Sequence, residues 1–253
     1  MNRSKLNKWG WLLVIILFYA ILWPYAQIDF QYLIDGLPTM FNWLQKSWPP
    51  DLTEIPIFLQ RALETVSIAT IGTTFAAIIA LPISFLAASN MNPNKPSYYF
   101  IRMILNALRG VDSFVFALIF VAAVGLGPFA GLLGVAIHTI GSMAKMFAEW
   151  IENAEMESIE ALEASGCNRL KVIVYALLPD AWPSFTSVAL YFWEFNVRAS
   201  TVLGVVGAGG IGQELKNSMD LLDFSRLLTI LVIISIMVTI IDRISVTFQR
   251  RLQ

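Results

Sequence analysis

Residues 152–183 read ENAEMESIEALEASGCNRLKVIVYALLPDAWP and form the longest charged and polar interval of an otherwise apolar chain; we call them the polar segment. In its first half, apolar residues recur at three- and four-residue steps at Met156, Ile159 and Leu162, which is the spacing of a helix. Gly166 follows, and glycine adopts at little steric cost the left-handed conformation in which many helices end. The first half is therefore predicted to be a helix that ends at Gly166.

The second half of the polar segment has the signals of another helix. Asn168 is of a residue type that caps helix N-termini, so a helix is predicted from Arg169 to Leu178. Pro179 lacks an amide hydrogen and clashes with the preceding turn, so we expect it to end this helix. The polar segment is thus predicted to be two helices joined by a sharp turn.

The whole chain has the composition of a membrane protein. Of its 253 residues, 57 % are hydrophobic and 14 % are charged, and the mean hydropathy is +0.66, whereas an average soluble domain has about 25 % charged residues. The single cysteine, Cys167, excludes an intramolecular disulfide framework, and the single histidine, His138, argues against a histidine-rich metal site. The net charge of −1 gives no sign of a nucleic-acid partner.

Six membrane spans are predicted from the apolar runs of the chain. They are Trp9–Pro24, Ile55–Ala88, Phe114–Val124, Phe129–Trp150, Ser184–Val206 and Arg226–Ile244. With a cytoplasmic N-terminus, twelve of the 17 lysine and arginine residues lie on the inner side, as the positive-inside rule requires. The fold class is therefore an all-α polytopic membrane protein with both termini and the polar segment in the cytoplasm.

The region before the second span, residues 1–54, is predicted to be separate from the main domain, residues 55–253. Basic residues precede the apolar run Trp9–Pro24, which fits either a retained first span or a cleaved signal peptide. The length of the run and the tryptophans at its ends favour a span. Residues 25–54 are too polar to span, and they are predicted to form a short helix on the outer surface or an ordered loop.

Two features of the spans have both a structural and a functional interpretation. An ionisable side chain inside a membrane span costs free energy unless it has a partner. His138 therefore either forms a hydrogen bond within the helix bundle, which we favour, or lies near a substrate path. Small and hydroxyl-bearing residues along one side of the span Ile55–Ala88 suit close helix packing, which we favour, or the lining of a pore. They are Ala62, Ala69, Thr70, Thr73, Ala76, Ala77 and Ala80.

A glycine pattern after the strand-like stretch Thr201–Val206 matches G-x-G-x-x-G at Gly207, Gly209 and Gly212. A dinucleotide site needs a βαβ unit around this pattern, but a polar linker and a membrane span follow here. A membrane enzyme that binds a nucleotide is therefore disfavoured. We expect a flexible, bent backbone at the outer mouth of the bundle, where successive amides could contact an anion.

The polar segment resembles the EAA motif of bacterial ABC-importer permeases, which reads E-A-A, three residues, Gly, nine residues, then I-x-L-P. The residues that match are Glu160, Ala161, Gly166, Leu178 and Pro179. Leu162 replaces the second alanine and Ala176 replaces the isoleucine, and both are mild apolar exchanges.

Other stretches are similar to the phosphonate and phosphite branch of these permeases. They are Gly36–Pro38, Pro49–Leu52, Gly125–Gly131, His138–Gly141 and Asn196–Gln213. Asp112 stands where we expect a proline in that family, so the local start of a helix can differ. The resemblance implies a type I ABC importer (MetI-like) permease core of six transmembrane helices, with a cytoplasmic coupling helix, in the bacterial inner membrane.

The resemblance also implies partners. ABC ATPase subunits would bind ATP and receive the coupling helix, so no cofactor is expected in this chain and the chain would not be an enzyme. A periplasmic or lipid-anchored binding protein would deliver the substrate, and a second copy of the chain or a paired homologue would complete the permease. The coupling residues would be Glu157, Glu160, Ala161, Gly166, Leu178 and Pro179.

The substrate implied is a phosphonate or a related phosphorus oxyanion (phosphite, hypophosphite or a phosphate ester), with another small solute as the alternative. A cation along the path would help such an anion to enter. Arg198 is the candidate, and a salt bridge with Glu194, four residues earlier, is its competing role. The predicted path residues are Arg198, Glu194, His138, Gly207 and Gly209.

Overall fold

The structure is a computed structural model that describes residues 3–27, 29–154, 162 and 164–252. The chain divides into two compact units, Met1–Trp48 and Pro49–Gln253, and every regular element within the described ranges is helical. The α-helices there are α1 Arg3–Leu22, α2 Phe30–Lys46, α3 Ile55–Ala87, α4 Lys95–Gly110, α5 Ser113–Val124, α6 Pro128–Glu152, α7 Arg169–Val172, α8 Leu178–Leu203, α9 Ile211–Asp220 and α10 Phe224–Leu252.

The first unit consists of α1 and α2, joined by the 3₁₀ turn Trp23–Ala26. Asp29 caps α2, because its Oδ1 accepts a hydrogen bond from the amide of Gln31 at 2.8 Å. A helix rather than a loop therefore follows the first apolar run, and it continues through Pro38. Its location on the outer surface stays a prediction.

The second unit has a buried polar junction between α3, α6 and α8. Asn196 of α8 is fully buried, and its Nδ2 donates to Thr73 Oγ1 of α3 at 2.8 Å and to Thr139 Oγ1 of α6 at 2.9 Å. An amide buried among apolar side chains is tolerated only when it is hydrogen-bonded. The junction therefore fixes the relative positions of three long helices.

The side of α3 that is rich in small residues is largely packed against its neighbours. Its buried members are Ala62, Ala69, Thr73, Ala76 and Ala80. Thr70 is exposed and its hydroxyl accepts a hydrogen bond from Trp193 Nε1 at 2.8 Å. This burial supports the close-packing interpretation over pore lining.

Three helices of the described residues, α3, α6 and α10, are long and apolar enough to cross a membrane. Two bent pairs bring the number to five if each is one span: α1 with α2, bent by 55°, and α4 with α5, bent by 87°. At 26 residues, α8 is ~39 Å long, but it contains Asp180, Glu194 and Arg198 and does not meet the same test. The count of six spans stays a prediction.

The third predicted span is a helix that is too short to cross a membrane by itself. α5 has 12 residues and is ~18 Å long, which is shorter than a hydrocarbon core of ~30 Å. Asp112 starts α5, because its Oδ1 accepts a hydrogen bond from the amide of Phe114 at 2.8 Å. The aspartate in place of the expected proline thus caps the helix with its side chain.

The prediction that Pro179 ends the second helix of the polar segment is wrong. The chain becomes helical at Arg169, as predicted, and continues through the π-helical turn Ile173–Leu177 directly into α8. Pro179 lies in the first turn of α8, where the wider turn before it accommodates a ring that would otherwise clash with the preceding carbonyl groups. The fifth predicted span therefore begins at Leu178, inside the polar segment, rather than at Ser184.

The segment before α3 is attached to the start of α10. The carbonyl oxygen of Asp51 accepts a hydrogen bond from Thr229 Oγ1 at 2.7 Å, and Asp223 caps α10 by accepting from the amide of Arg226 at 3.1 Å. The amide of Thr53 and its hydroxyl both donate to Asp51 Oδ1, at 2.9 and 2.7 Å, and these bonds lower the pKa of Asp51. Asp223 therefore caps the last helix with its side chain.

Candidate coupling segment and translocation path

Gly166 forms the turn of the polar segment. Its φ of +77° is left-handed, and the amide of Cys167 donates to the carbonyl of Leu162 at 3.2 Å, which is the bond that closes a Schellman turn. No atom lies within 4 Å of the position that a Cβ would take at Gly166. The requirement for glycine is therefore conformational rather than steric, and the predicted turn is confirmed.

The polar segment packs against a buried apolar cluster on both sides of this turn. Leu162 and Cys167 are half-buried and contact the cluster, which includes Phe147, Ile151 and Val172. Such contacts hold the turn against the ends of the long helices.

Half of the predicted coupling residues belong to a part of the chain that the structure leaves undescribed. Glu157, Glu160 and Ala161 lie outside the described residues, so their helix and their role stay predictions. At the far end of the motif, Leu178 is half-buried and Pro179 is exposed.

Glu152, the last residue of α6, has contacts that no local sequence pattern indicated. Its Oε2 accepts a hydrogen bond from Arg102 Nη2 at 2.7 Å, and its Oε1 accepts one from the amide of Ser89 at 2.6 Å. Asn90 Nδ2 donates to the carbonyl of Ile151 at 2.9 Å. We call Ser89, Asn90, Arg102 and Glu152 the clamp, because they join the ends of α3 and α6 to the middle of α4 where the polar segment begins.

Arg198 is paired with Glu194 and also borders a cavity. Its Nη2 lies 2.6 Å from Glu194 Oε1, yet the Arg198 side chain is 51 % exposed, whereas that of Glu194 is 13 % exposed. The cavity has a volume of ≈ 360 Å³ and lies between the start of α5 and α8. The two roles considered for Arg198 are therefore compatible. The other lining residues are Asp112, Ser113, Phe114, Phe195, Ala199, Val202 and Leu203.

His138 is held at the bend between α4 and α5. Its Nδ1 lies 2.9 Å from the carbonyl oxygen of Val111, so Nδ1 carries the hydrogen in the neutral ring and donates it. Val111 precedes Asp112, which borders the Arg198 cavity. His138 therefore forms the hydrogen bond that we expected, and its partner, Val111, is one residue away from the cavity wall.

The glycine-rich stretch has the bent backbone that we expected, and hydrogen bonds and close contacts hold it. Gly207 and Gly209 have φ values of +82° and +79°, and the amide of Gly127 donates to the carbonyl of Gly207 at 2.8 Å. A Cβ at Gly209 would lie 2.7 Å from Glu64 Oε1 and 2.9 Å from Pro128 Cγ, so no larger residue fits. The preceding stretch Thr201–Val206 ends α8 and forms a 3₁₀ turn, so the strand that a dinucleotide site needs is not formed there.

The amides of this turn already have anionic and polar partners in the protein. The amide of Gly210 donates to Glu64 Oε1 at 3.2 Å, and that of Ile211 donates to Thr65 Oγ1 at 2.8 Å. Side chains of α3 therefore occupy two of the donors that we expected to contact an anion.

A cluster of five charged residues joins α3, α9 and α10 beside this turn; we call Glu54, Arg61, Glu64, Glu214 and Arg226 the ion cluster. Arg61 Nη1 lies 2.8 Å from Glu64 Oε2, and Arg226 Nη2 lies 2.7 Å from Glu214 Oε2. Arg226 Nη2 is also 2.9 Å from Glu54 Oε2, but without hydrogen-bond geometry, so this contact is ionic only. Glu214 is buried, and its carboxylate needs both arginines because an unpaired buried charge is costly.

Known proteins resemble this chain along most of its length. Residues 80–253 match the family model described as binding-protein-dependent transport system inner membrane component. The permease HtxC of Stutzerimonas stutzeri, named for phosphite transport, is 49 % identical over 92 % of this chain and 82 % of its own length. The phosphite transport system permease protein PtxC of the same organism is 37 % identical over 92 % of this chain and 86 % of its own.

A solved structure shares the fold at lower sequence similarity. The methionine ABC transporter MetNI in an inward-facing conformation has a chain that matches with a TM-score of 0.71 and 21 % identity, over 80 % of this chain and 99 % of that one. This likeness and the family match show a MetI-like permease fold.

These findings decide the type of protein. The relatives are transport permeases rather than enzymes, so the chain is a transport subunit. Its apolar helices and its family make it a multi-pass protein of the inner membrane, and the family implies ATPase and substrate-binding partners. The chain belongs to the family of inner-membrane components of binding-protein-dependent transport systems.

Proposed function

We propose that this permease carries phosphite or a related phosphorus oxyanion into the cell by alternating access. The observation that carries the substrate class is the 49 % identity over 92 % of the chain to a relative named for phosphite transport. Two of the stretches that are similar to the phosphonate branch, residues 125–131 and 196–213, meet in the structure through the Gly127–Gly207 hydrogen bond. They therefore form one local structure beside the Arg198 cavity.

Arg198 and its neighbours are proposed to form part of the translocation path. The exposed guanidinium attracts an oxyanion, while the carboxylates of Glu194, which is paired with it, and of Asp112, on the same cavity wall, offset its charge. An anion is then drawn in without being held tightly, which is what passage requires. His138 supports the cavity wall through Val111, and Gly207 and Gly209 form the turn at one end of the path.

Movement is proposed to reach this path through the polar segment. Glu157, Glu160 and Ala161 would lie in a cleft of a separate ABC ATPase subunit, while Gly166, Leu178 and Pro179 shape the segment. A part that receives force must be stiff, and the Schellman turn and the half-buried Leu162 supply stiffness. Within the described residues, this stiffness rests on Leu162 and Gly166. The residues proposed to dock, Glu157, Glu160 and Ala161, lie outside the described residues.

The proposed assembly contains two copies of this chain, two ATPase subunits and one binding protein, because the polar segment occurs once per chain. A paired homologue in place of the second copy is the alternative. Both termini and the polar segment are proposed to be cytoplasmic, with residues 55–253 as the permease domain and residues 1–54 as a separate N-terminal region.

The substrate is tested by transport in liposomes that contain the whole complex with its binding protein. We expect ATP-dependent uptake of radiolabelled phosphite, with competition by hypophosphite or methylphosphonate and none by methionine. Uptake of another small solute, with no uptake of any phosphorus oxyanion, would contradict the proposal. Purification of the permease without any ATPase subunit would contradict the proposed assembly.

A further inference from the structure

The clamp joins the polar segment to the helices that form the permease core. Glu152 is the last residue of α6, and its carboxylate contacts Ser89, two residues after the end of α3, and Arg102 of α4. We infer that the clamp transmits movement of the polar segment to α3 and α4, and that Glu152 is a positioning residue for coupling. This inference rests on the proposed docking of the polar segment to an ATPase subunit.

The geometry of Glu152 suits the transmission of a displacement. Its two oxygens accept hydrogen bonds from two different elements, at 2.6 Å from Ser89 and 2.7 Å from Arg102. Charge-assisted hydrogen bonds of this length are strong and directional. Since each oxygen is bound to a different element, a shift of the end of α6 has to move both.

Arg102 carries the displacement further, because its guanidinium contacts other groups besides Glu152. Its Nε donates to the carbonyl of Ala87 at 3.0 Å, and its guanidinium lies 4.8 Å from the ring centroid of Tyr98. Ala87 is the last residue of α3, so a pull on Arg102 acts on that helix end directly.

Three described residues of the polar segment contact the bundle in a different way. Ala154, Leu162 and Cys167 pack against the buried apolar cluster. Apolar packing is non-directional, so these residues hold the segment close to the bundle without specifying a direction of movement, whereas the carboxylate forms directional bonds to two elements. The clamp is therefore expected to carry movement of the segment to α3 and α4, beside the direct continuation of the segment into α8.

The test uses Glu152→Gln in the complete complex in liposomes. An amide carbonyl accepts a hydrogen bond, but the NH₂ group that replaces the second oxygen cannot accept one. One of the two hydrogen bonds of Glu152 is therefore lost, while the volume of the side chain stays almost the same. We expect ATP hydrolysis to continue while phosphite uptake per ATP hydrolysed falls about tenfold, a factor within what one charge-assisted hydrogen bond supplies.

A second readout does not depend on the substrate. In a Cys167→Ser background, Lys216→Cys places a thiol on an exposed position of α9, near the opposite end of α3 from the clamp. Labelling with a membrane-impermeant maleimide is measured with and without vanadate trapping of the ATPase. We expect trapping to change the labelling rate when Glu152 is present and to leave it unchanged with Glu152→Gln.

The matched control is Glu149→Gln, which makes the same chemical change at an exposed position one turn earlier on α6. It should leave both readouts unchanged, and Glu152→Asp, which keeps the charge, should give intermediate uptake per ATP. Unchanged readouts with Glu152→Gln, or a parallel loss of hydrolysis, uptake and thermal stability, would overturn the inference. If the wild-type complex takes up no phosphite, the proposed substrate is wrong, and the labelling readout still decides on the clamp.

Discussion

At the scale of single residues, Gly166 has a backbone that other residues adopt only with strain. Its φ is +77°, although a side chain would meet no atom within 4 Å. An L-residue in the left-handed region costs about 1–2 kcal/mol, and a β-branched residue costs more. We expect Gly166→Val to move the turn of the polar segment and to reduce ATP-driven uptake at least tenfold, since tenfold corresponds to ~1.4 kcal/mol.

Gly110 supplies the control for this substitution. A Cβ at Gly110 also meets nothing within 4 Å, but its φ is not left-handed, so Gly110→Val should be tolerated. Gly166→Asn should retain more uptake than Gly166→Val, because asparagine tolerates the left-handed region. Full uptake with Gly166→Val, in protein correctly inserted in the membrane, means that the turn plays no part in coupling.

Arg198 has two proposed roles, which are to attract the substrate and to neutralise Glu194. Its pairing with Glu194 at 2.6 Å means that Arg198→Ala removes a cation and also leaves a nearly buried carboxylate unpaired. We expect Arg198→Ala to slow phosphite uptake while the permease still binds its ATPase subunit. The measurement is the initial rate of uptake in liposomes, with co-purification of the ATPase as the check on assembly.

The double variant Glu194→Gln with Arg198→Ala decides between the two roles of Arg198. If Arg198 attracts the anion, the double variant stays slow, because no cation has been restored. Recovery of the wild-type rate in the double variant would reduce Arg198 to the partner of Glu194.

At the scale of helices, the ion cluster holds α9 against α3 and α10. Glu214→Gln keeps one hydrogen-bond acceptor but leaves Arg61 and Arg226 without the buried negative charge between them. Breaking a buried ion pair costs about 3–5 kcal/mol, and we expect the lower end of this range because the amide still accepts one bond. Thermal unfolding of the detergent-solubilised permease should show Tm lowered by several degrees.

Asp220 of the same helix provides the comparison. It is exposed, and Asp220→Asn makes the same carboxylate-to-amide change, so its Tm should equal that of the wild type. Equal Tm values for both variants would show that the ion cluster does not stabilise α9.

How far the sequence predicts these elements depends on how local the signals are. The span predicted from Ile55 to Ala88 is a helix from Ile55 to Ala87, because a long apolar run specifies its own extent. Gly166 and Asp223 were also predictable, since a helix end and a cap depend on one residue. Pro179 was not, because the π-helical turn that accommodates it forms in the preceding residues and has no pattern of its own.

Contacts between distant parts of the chain left no local signal at all. Glu152 and Arg102 are 50 residues apart, and Glu64 and Gly210 are 146 residues apart. The charges of the ion cluster and the clamp were visible in the sequence, but their partners were determined by how the helices pack. For the same reason the amides of the glycine-rich turn were predicted to be open to an anion, whereas Glu64 occupies one of them.

At the scale of the whole molecule, the number of spans decides on which side each terminus lies. Six spans place both termini in the cytoplasm, whereas five spans place them on opposite sides. The described helices offer three to five spans by length and apolarity, and α8 is the helix in question because of Glu194 and Arg198. Charged groups inside a bundle are tolerated when they are paired, and Arg198 is paired with Glu194 at the edge of a cavity.

We therefore predict that α8 crosses the membrane and that both termini are cytoplasmic. Single cysteines at Ser4 and Gln249, in a Cys167→Ser background, should react with an impermeant maleimide in inverted vesicles and not in intact spheroplasts. A cysteine at Lys216 is the control and should show the opposite pattern, because α9 follows α8 and precedes the last span. Labelling of Ser4→Cys and Gln249→Cys from opposite sides would remove one span from the count, and it would also overturn the proposed cytoplasmic location of at least one terminus.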